Sequence, residues 1–99
     1  MATEARAISA WREHHRAAAG RHQRISGFYR RLAHVSHFTG TSFRTTLHLY
    51  ASSKMHSRIA RQHGSLARSK RVHINRREGV ITAPVAGGGI HRDRLGRFA

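Results

Sequence analysis

Several residue types that carry common protein chemistry are absent or scarce in this chain. It has no cysteine, which excludes disulfides, thiolate nucleophiles and cysteine-based zinc sites. It has only 4 Asp and Glu residues, and none of them lies in the sequence context of a known catalytic motif. No run of about 18 apolar residues occurs, so the sequence predicts no transmembrane helix. We therefore expect neither an enzyme nor a bound cofactor.

Positive charge is what the chain has in excess. Of its 99 residues, 19 are Lys or Arg, and the formal net charge is +15. Such a chain repels itself in isolation, and a polyanion or a crowded assembly would neutralise it. All the basic residues except Lys54 and Lys70 are arginines, whose planar donors suit phosphate and carboxylate groups. The composition predicts nucleic acid or other protein subunits as partners, and no membrane.

The 10 histidines raise the question of a metal site. His34 and His37 are three residues apart on a predicted helix, and His14 and His15 lie near His22. A catalytic zinc ion takes three protein ligands, which second-shell carboxylates often orient. Because acidic residues are so few, the sequence predicts surface or interface histidines and no metal.

The N-terminal part of the chain shows helical periodicity. Apolar residues at helical spacing predict helices over residues 3–19, 22–38 and 42–63. Gly20 is expected to end the first helix and Gly64 the third, because glycine readily adopts the left-handed conformation that often follows a helix.

The period changes after Gly64. Val72–Ile74 and Val80–Val85 are short apolar runs, and the polar segment 75–79 between them ends in glycine, which predicts a β-hairpin. Leu66 is expected to be buried where the preceding helix meets this hairpin. Alternation along the strands predicts that one set of side chains faces the core: Val72, Ile74, Ile81 and Val85.

The opposite face of the hairpin is expected to be solvent-exposed, with Arg71, His73 and Arg76 pointing outward. Pro84 cannot donate a hydrogen bond to a neighbouring strand. The strand 80–85 is therefore expected at a sheet edge, or with the Pro84 nitrogen directed away from its partner.

Three consecutive glycines, at positions 87–89, predict a flexible connector that leads into a basic tail. The fold class predicted from the whole sequence is α+β, with two or three N-terminal helices, a small antiparallel β-hairpin and a flexible basic C-terminal tail. Residues 1–85 are predicted to form one small domain, and residues 86–99 the connector and tail.

Basic residues cluster at several places along the chain. The pair Arg76-Arg77 falls at the tip of the predicted hairpin, which is a good position for reaching into a groove. The residues expected to bind phosphate or a partner are Arg30, Arg31, Arg68, Lys70, Arg71, Arg76, Arg77, Arg92, Arg94 and Arg97.

The segment Gly64-Ser-Leu66-Ala-Arg-Ser69-Lys-Arg-Val72 resembles a motif of tailed-bacteriophage head–tail connector proteins, also called neck or tail-completion proteins. In that family a helix is followed by Gly-x-Leu-x-x-Ser-x-x-Val, which opens the first strand. The resemblance covers about residues 46–85. It implies that Gly64 forms the turn, that Leu66 and Val72 are core residues and that Ser69 begins the strand. It also implies a non-enzymatic virion subunit that assembles into a homo-oligomeric ring.

A second resemblance remains open beside the first. His63-Gly-Ser-Leu-Ala-Arg68 is similar to the opening of a small eukaryotic ribosomal protein that is often made as a ubiquitin-like fusion. Asn75-Arg-Arg77 and Pro84 echo the later part of that family. This resemblance implies a basic protein that binds rRNA in a ribosome, including a mitochondrial one. Both alternatives describe a structural piece of a large assembly.

Overall fold

The computed structural model describes residues 2–98; Met1 and Ala99, at the ends of the two predicted domain ranges, lie outside the described residues. Two long helices are followed by a three-stranded antiparallel sheet, which confirms the α+β class. The elements are α1 (Ala2–Phe38), α2 (Phe43–Arg68), β1 (His73–Asn75), β2 (Val80–Pro84), β3 (Ile90–Arg94) and a 3₁₀ turn (Leu95–Arg97). No helix in this part of the chain is both long enough and apolar enough to cross a membrane.

The predicted break between the first two helices is wrong, because α1 continues through Gly20. A glycine ends a helix when it takes a left-handed conformation, and Gly20 does not have a positive φ. The left-handed residue is Gly40, with φ of 72°, just after α1. The backbone nitrogen of Thr39 still donates to the Val35 carbonyl oxygen at 2.9 Å, so the last turn is intact up to that glycine.

Gly64 does not end the second helix either, because α2 extends to Arg68. The helical conformation carries Leu66 into the core, where it is 4% exposed. The helix ends where the Ser69 backbone nitrogen donates to the Leu66 carbonyl oxygen at 3.1 Å. The turn expected at Gly64 is thus displaced to Ser69, while the predicted burial of Leu66 is confirmed.

The predicted hairpin is present as β1 and β2. Their register pairs Ile74 with Ile81, and a turn at residues 76–79 joins them. Gly79 has φ of 66°, which is the conformation that favours glycine at this point of a turn. Ile81 is fully buried, and Val72, Ile74 and Val85 are half-buried. As predicted, the outward set is exposed: Arg71, His73 and Arg76.

The flexible basic tail is not confirmed. Residues 90–94 form β3, which pairs with β2 from Val80↔Arg94 to Pro84↔Ile90. The three glycines at 87–89 all have positive φ, and they build a turn in which the Val85 nitrogen donates to the Gly89 oxygen at 3.0 Å. The same conformational freedom that predicted a flexible connector therefore makes a tight reversal between two strands.

β2 is the central strand of the sheet and not an edge strand. Pro84 is nonetheless tolerated, because the pairing with β1 stops at His73↔Thr82, two residues before it. At Pro84 only β3 is paired with β2 among the described strands. A missing N–H on the other side therefore breaks no ladder hydrogen bond.

The chain divides into two compact units. The sheet unit comprises the described residues 2–17 and 62–98, and the helical unit comprises residues 18–61. The sheet unit has an apolar core made of Ala7, Trp11, Leu66, Ile81, Ala83 and Phe98, against which Val72, Ile74 and Leu95 pack.

The helical unit is an antiparallel pair of helices with small side chains between them. Ser26 and Ser53 each donate through Oγ to the other's backbone carbonyl oxygen, at 2.8 and 2.9 Å. Ser36 and Thr46 hydroxyls lie 2.7 Å apart. The buried residues of this unit are Ala18, Ser26, Ala33, Ser36, Thr46, Ser53 and Ala60.

Candidate functional site

The sheet unit brings together a cluster of histidines around one aspartate. Trp11 and His15 are one turn apart on α1 and therefore share a face of the helix. His91 and Asp93 are two residues apart on β3, so both point to the same face of the sheet. That face is the buried one, because Asp93 pairs in register with the fully buried Ile81.

One oxygen atom is the centre of this cluster. Asp93 Oδ2 accepts a hydrogen bond from Trp11 Nε1 at 2.8 Å. His15 Nε2 and His91 Nε2 each lie 2.8 Å from the same oxygen. Behind His15, its Nδ1 lies 2.7 Å from Nδ1 of His63, and the two rings stack. We call these five residues the Asp93 cluster.

The Asp93 cluster holds a carboxylate in an enclosed position. His15 is 1% exposed and the Asp93 side chain 17%. Burial raises the pKa of Asp93, but the hydrogen bonds from His15, His91 and Trp11 outweigh that effect, so the pKa is lowered from its ordinary value. Asp93 is therefore an anion at neutral pH.

The arrangement fixes the proton positions of His15. In the form where Nε2–H donates to Asp93, the unprotonated Nδ1 accepts from His63 Nδ1–H. If Nε2 were instead a metal ligand, His15 Nδ1–H would donate to His63. His15, His91 and Asp93 each offer a ligand atom, and these atoms all lie within 4.8 Å of one another. The cluster can hold protons or a cation.

The opposite face of the sheet is basic. Arg92 and Arg94 alternate with His91 and Asp93 along β3 and are exposed. Arg92 stands beside Thr82 in register, and Thr82 beside His73. Arg92, Arg94 and Arg97 line a hollow of about 820 Å³ together with Glu78–Val80, Asp93 and Gly96. We call this surface the arginine hollow.

The structure therefore brings together one of the predicted basic clusters, Arg92, Arg94 and Arg97, on a concave surface. Arg76 and Arg77 lie in the turn between β1 and β2 as predicted, and Arg76 forms an ion pair with Glu4 at 2.7 Å. Arg68, Lys70 and Arg71 are exposed where α2 ends and the chain enters β1.

Two predicted basic residues, Arg30 and Arg31, belong to the helical unit and not to the sheet. Arg30 lines a cleft of about 430 Å³ with His34, Tyr50 and Lys54. Three serines also line this cleft: Ser26, Ser53 and Ser57. The predicted phosphate-binding set is thus split between two surfaces, one in each unit.

The predicted assembly motif is also placed. Gly64 is inside α2, and a Cβ there would lie 3.2 Å from a guanidinium nitrogen of Arg68. Ser69 follows the helix, and its Oγ accepts a hydrogen bond from the Arg71 backbone nitrogen at 3.2 Å. Leu66 is in the core and Val72 packs against it.

Positive charge lies on the surface with few carboxylate partners. Every Lys and Arg residue except Arg12 is exposed. Within residues 2–98, ion pairs between an arginine and a carboxylate are formed by Arg16 with Glu13 and by Arg76 with Glu4. The remaining basic side chains are available to a polyanion.

Sequence reasoning missed the Asp93 cluster. The signals were there in Trp11-x-x-x-His15, which shares a helix face, and in His91-x-Asp93, which shares a strand face. They became informative only once residues 90–94 were known to be a strand. No protein-family model, curated protein or solved structure matches this chain, so the two resemblances gain no support from a relative.

Proposed function

We propose that the protein is a non-enzymatic subunit of a nucleoprotein assembly that binds the phosphate backbone of nucleic acid. The observation that supports this most is the surface charge: nearly all basic residues are exposed, and only Arg16 and Arg76 pair with a carboxylate in the described chain. Folding alone does not use this charge. A polyanion would remove the self-repulsion of a chain carrying +15.

The arginine hollow is the best candidate for the main contact. Its guanidinium groups come from adjacent positions on one strand face and from the 3₁₀ turn that follows. Arg97 is placed by its neighbour, since its Cζ lies 5.8 Å from the Phe98 ring centroid. Arginines held on a rigid sheet lose less conformational freedom on binding than arginines on a mobile tail.

The test is the salt dependence of binding to labelled single-stranded RNA, double-stranded RNA and double-stranded DNA, followed by fluorescence anisotropy. Each phosphate neutralised releases counterions, so the logarithm of the affinity should fall steeply between about 50 and 200 mM salt. Preference for RNA with the same steep dependence would favour the ribosomal alternative. An affinity that is flat over this range, or no binding at all, would overturn the proposal.

A second candidate is a ring-forming connector subunit of a tailed-phage virion. The favouring observation is the set of large apolar side chains exposed on the helical unit, which includes Phe28, Val35, Phe38 and Phe43 at 52, 58, 84 and 77%. Exposed apolar surface of this kind is typical of protein–protein contacts. The edges of the sheet, β1 and β3, are also available for strand pairing with a neighbour.

Oligomeric state separates the two candidates. Light scattering coupled to size exclusion, in the absence of nucleic acid, should give a closed ring of defined copy number for a connector subunit. A monomer that assembles only with nucleic acid would favour the first candidate and contradict a self-sufficient ring.

A further inference from the structure

We infer that the Asp93 cluster is a binding site for a divalent transition-metal ion, with His15 Nε2, His91 Nε2 and Asp93 Oδ2 as its ligands. Two imidazole nitrogens and one carboxylate oxygen form a donor set that suits Zn²⁺ and its neighbours in the first transition row. This site is independent of the proposed nucleic-acid binding, because its ligands face the opposite side of the sheet from the arginine hollow.

The first argument comes from counting lone pairs. A carboxylate oxygen offers about two lone-pair sites. Asp93 Oδ2 has three nitrogens at 2.8 Å: Trp11 Nε1, His15 Nε2 and His91 Nε2. Three donors on one oxygen are one more than it can accept well. A cation bound by both histidines would occupy one lone pair and leave the other to Trp11 N–H.

The second argument concerns distance. In a tetrahedral zinc site with bonds of about 2.0–2.1 Å, neighbouring ligand atoms lie about 3.3 Å apart. The three ligand atoms lie within 4.8 Å of one another, and both histidine nitrogens converge on the same oxygen. Shifts of about half an ångström would open the cluster around an ion, starting from contacts at 2.8 Å.

The third argument is the surrounding hydrogen bonds. A histidine that binds metal through one nitrogen usually donates from the other, which fixes its tautomer. His15 Nδ1 has such a partner in His63 Nδ1, at 2.7 Å. Trp11 N–H holds the carboxylate in place from the other side. Both residues would act as positioning residues for the metal ligands.

Access to the site is provided by His91. Its side chain is 32% exposed, whereas that of His15 is 1% exposed. An ion can therefore enter from the His91 side, and the fourth coordination position can be filled by water from that side.

The test uses Zn²⁺ alone and the fluorescence of Trp11, the only tryptophan in the chain. Zinc titrated into the chelator-treated full chain should change the Trp11 emission and saturate at one equivalent, because Trp11 donates to a ligand oxygen. His91→Gln should weaken zinc binding at least tenfold. The matched control is His73→Gln, which removes an exposed histidine from the opposite face of the same sheet and should bind zinc like the native chain.

A second measurement does not depend on how a variant folds. In the ¹⁵N-labelled native chain, zinc should shift the ring Nε2 resonances of His15 and His91 and leave those of His73 unchanged. The inference is overturned if the native chain shows no saturable Trp11 response. It is equally overturned if His91→Gln and His73→Gln bind zinc with the same affinity, or if the shifts are spread evenly over the histidines.

Discussion

The sheet unit and the helical unit bury different kinds of side chain. The sheet unit encloses Trp11, Leu66, Ile81 and Phe98, which are the large apolar residues expected in a core. The helical unit encloses alanine, serine and threonine, and it exposes most of its large apolar residues. The exposed ones in that unit are Ile25, Phe28, Leu32, Val35, Phe38, Phe43, Leu47 and Met55.

The difference shows that two packing solutions coexist in one short chain. Small side chains allow two helix backbones to approach closely, and their hydroxyls are satisfied across the contact, as with Ser26 and Ser53. The apolar gain from such an interior is small, because burial energy scales with apolar area. We therefore expect the sheet unit to supply most of the free energy of unfolding.

The largest expected effect is at Leu66. Leu66→Ala should lower the free energy of unfolding by about 2–5 kcal/mol, because it removes a core side chain and leaves a cavity. The matched control is Leu47→Ala in the same helix, at a position that is 52% exposed. It should change stability by less than about 0.5 kcal/mol. Equal losses in denaturant unfolding would contradict the contrast between the two units.

The interior of the helical unit should reject larger side chains. Thr46→Leu should cost about 1–3 kcal/mol, because it overfills a contact where Thr46 is 6% exposed and lies 2.7 Å from the Ser36 hydroxyl. Thr45→Leu, one residue earlier on the exposed side, is the control. It should be near neutral. Thermal unfolding of both variants measures the difference, and a stabilised Thr46→Leu protein would mean that the helices are not closely packed there.

The Asp93 cluster should make the stability of the chain fall in acid. The folded pKa of Asp93 is lowered, so its contribution is fully present above the unfolded pKa of about 3.9 and is lost as pH falls through the lower folded pKa. In Asp93→Asn, measured with chelator present, the acid loss of stability should be shallower than in the native chain. Glu78→Gln, at an exposed turn position, should leave the acid profile unchanged.

Glycine substitutions should have the smallest effects and opposite signs in the two units. Gly27→Ala should stabilise α1 by about 0.5–1 kcal/mol, because the new Cβ would only make an ordinary contact at 3.6 Å with Arg31. Gly79→Ala should destabilise the chain by about 1–2 kcal/mol, since φ at Gly79 is 66°. Chemical denaturation resolves both signs, and a loss at Gly27 would indicate a helix that needs its glycine.

The sequence was sufficient for the parts of the fold that depend on local pattern. The helical region, the hairpin at 72–85 and the burial of Leu66 and Ile81 all follow from periodicity. The helix ends were less accessible, because a glycine can lie inside a helix or terminate it, and the choice depends on tertiary packing. Gly20 and Gly64 lie inside helices, whereas Gly40 ends one.

The candidate sites were only partly predictable. The alternation of His91, Arg92, Asp93 and Arg94 places two chemistries on opposite faces of one strand. A reader of the sequence who expects a flexible tail there has no reason to apply that alternation. Trp11, His15 and His63 come from distant positions, and only the pairing of α1, α2 and β3 brings them to Asp93.

The most direct test of the proposed phosphate contact compares two triple variants of equal charge. One variant, Arg92→Gln, Arg94→Gln and Arg97→Gln, removes the arginine hollow. The other removes three exposed arginines of the helical unit: Arg21, Arg24 and Arg44. For each, the slope of log affinity against log salt is measured on duplex DNA. We predict that the first variant loses about 0.9 of slope per lost phosphate contact, about 2.7 in total, and that the second keeps the native slope. Equal slopes in the two variants would contradict a phosphate site on the sheet.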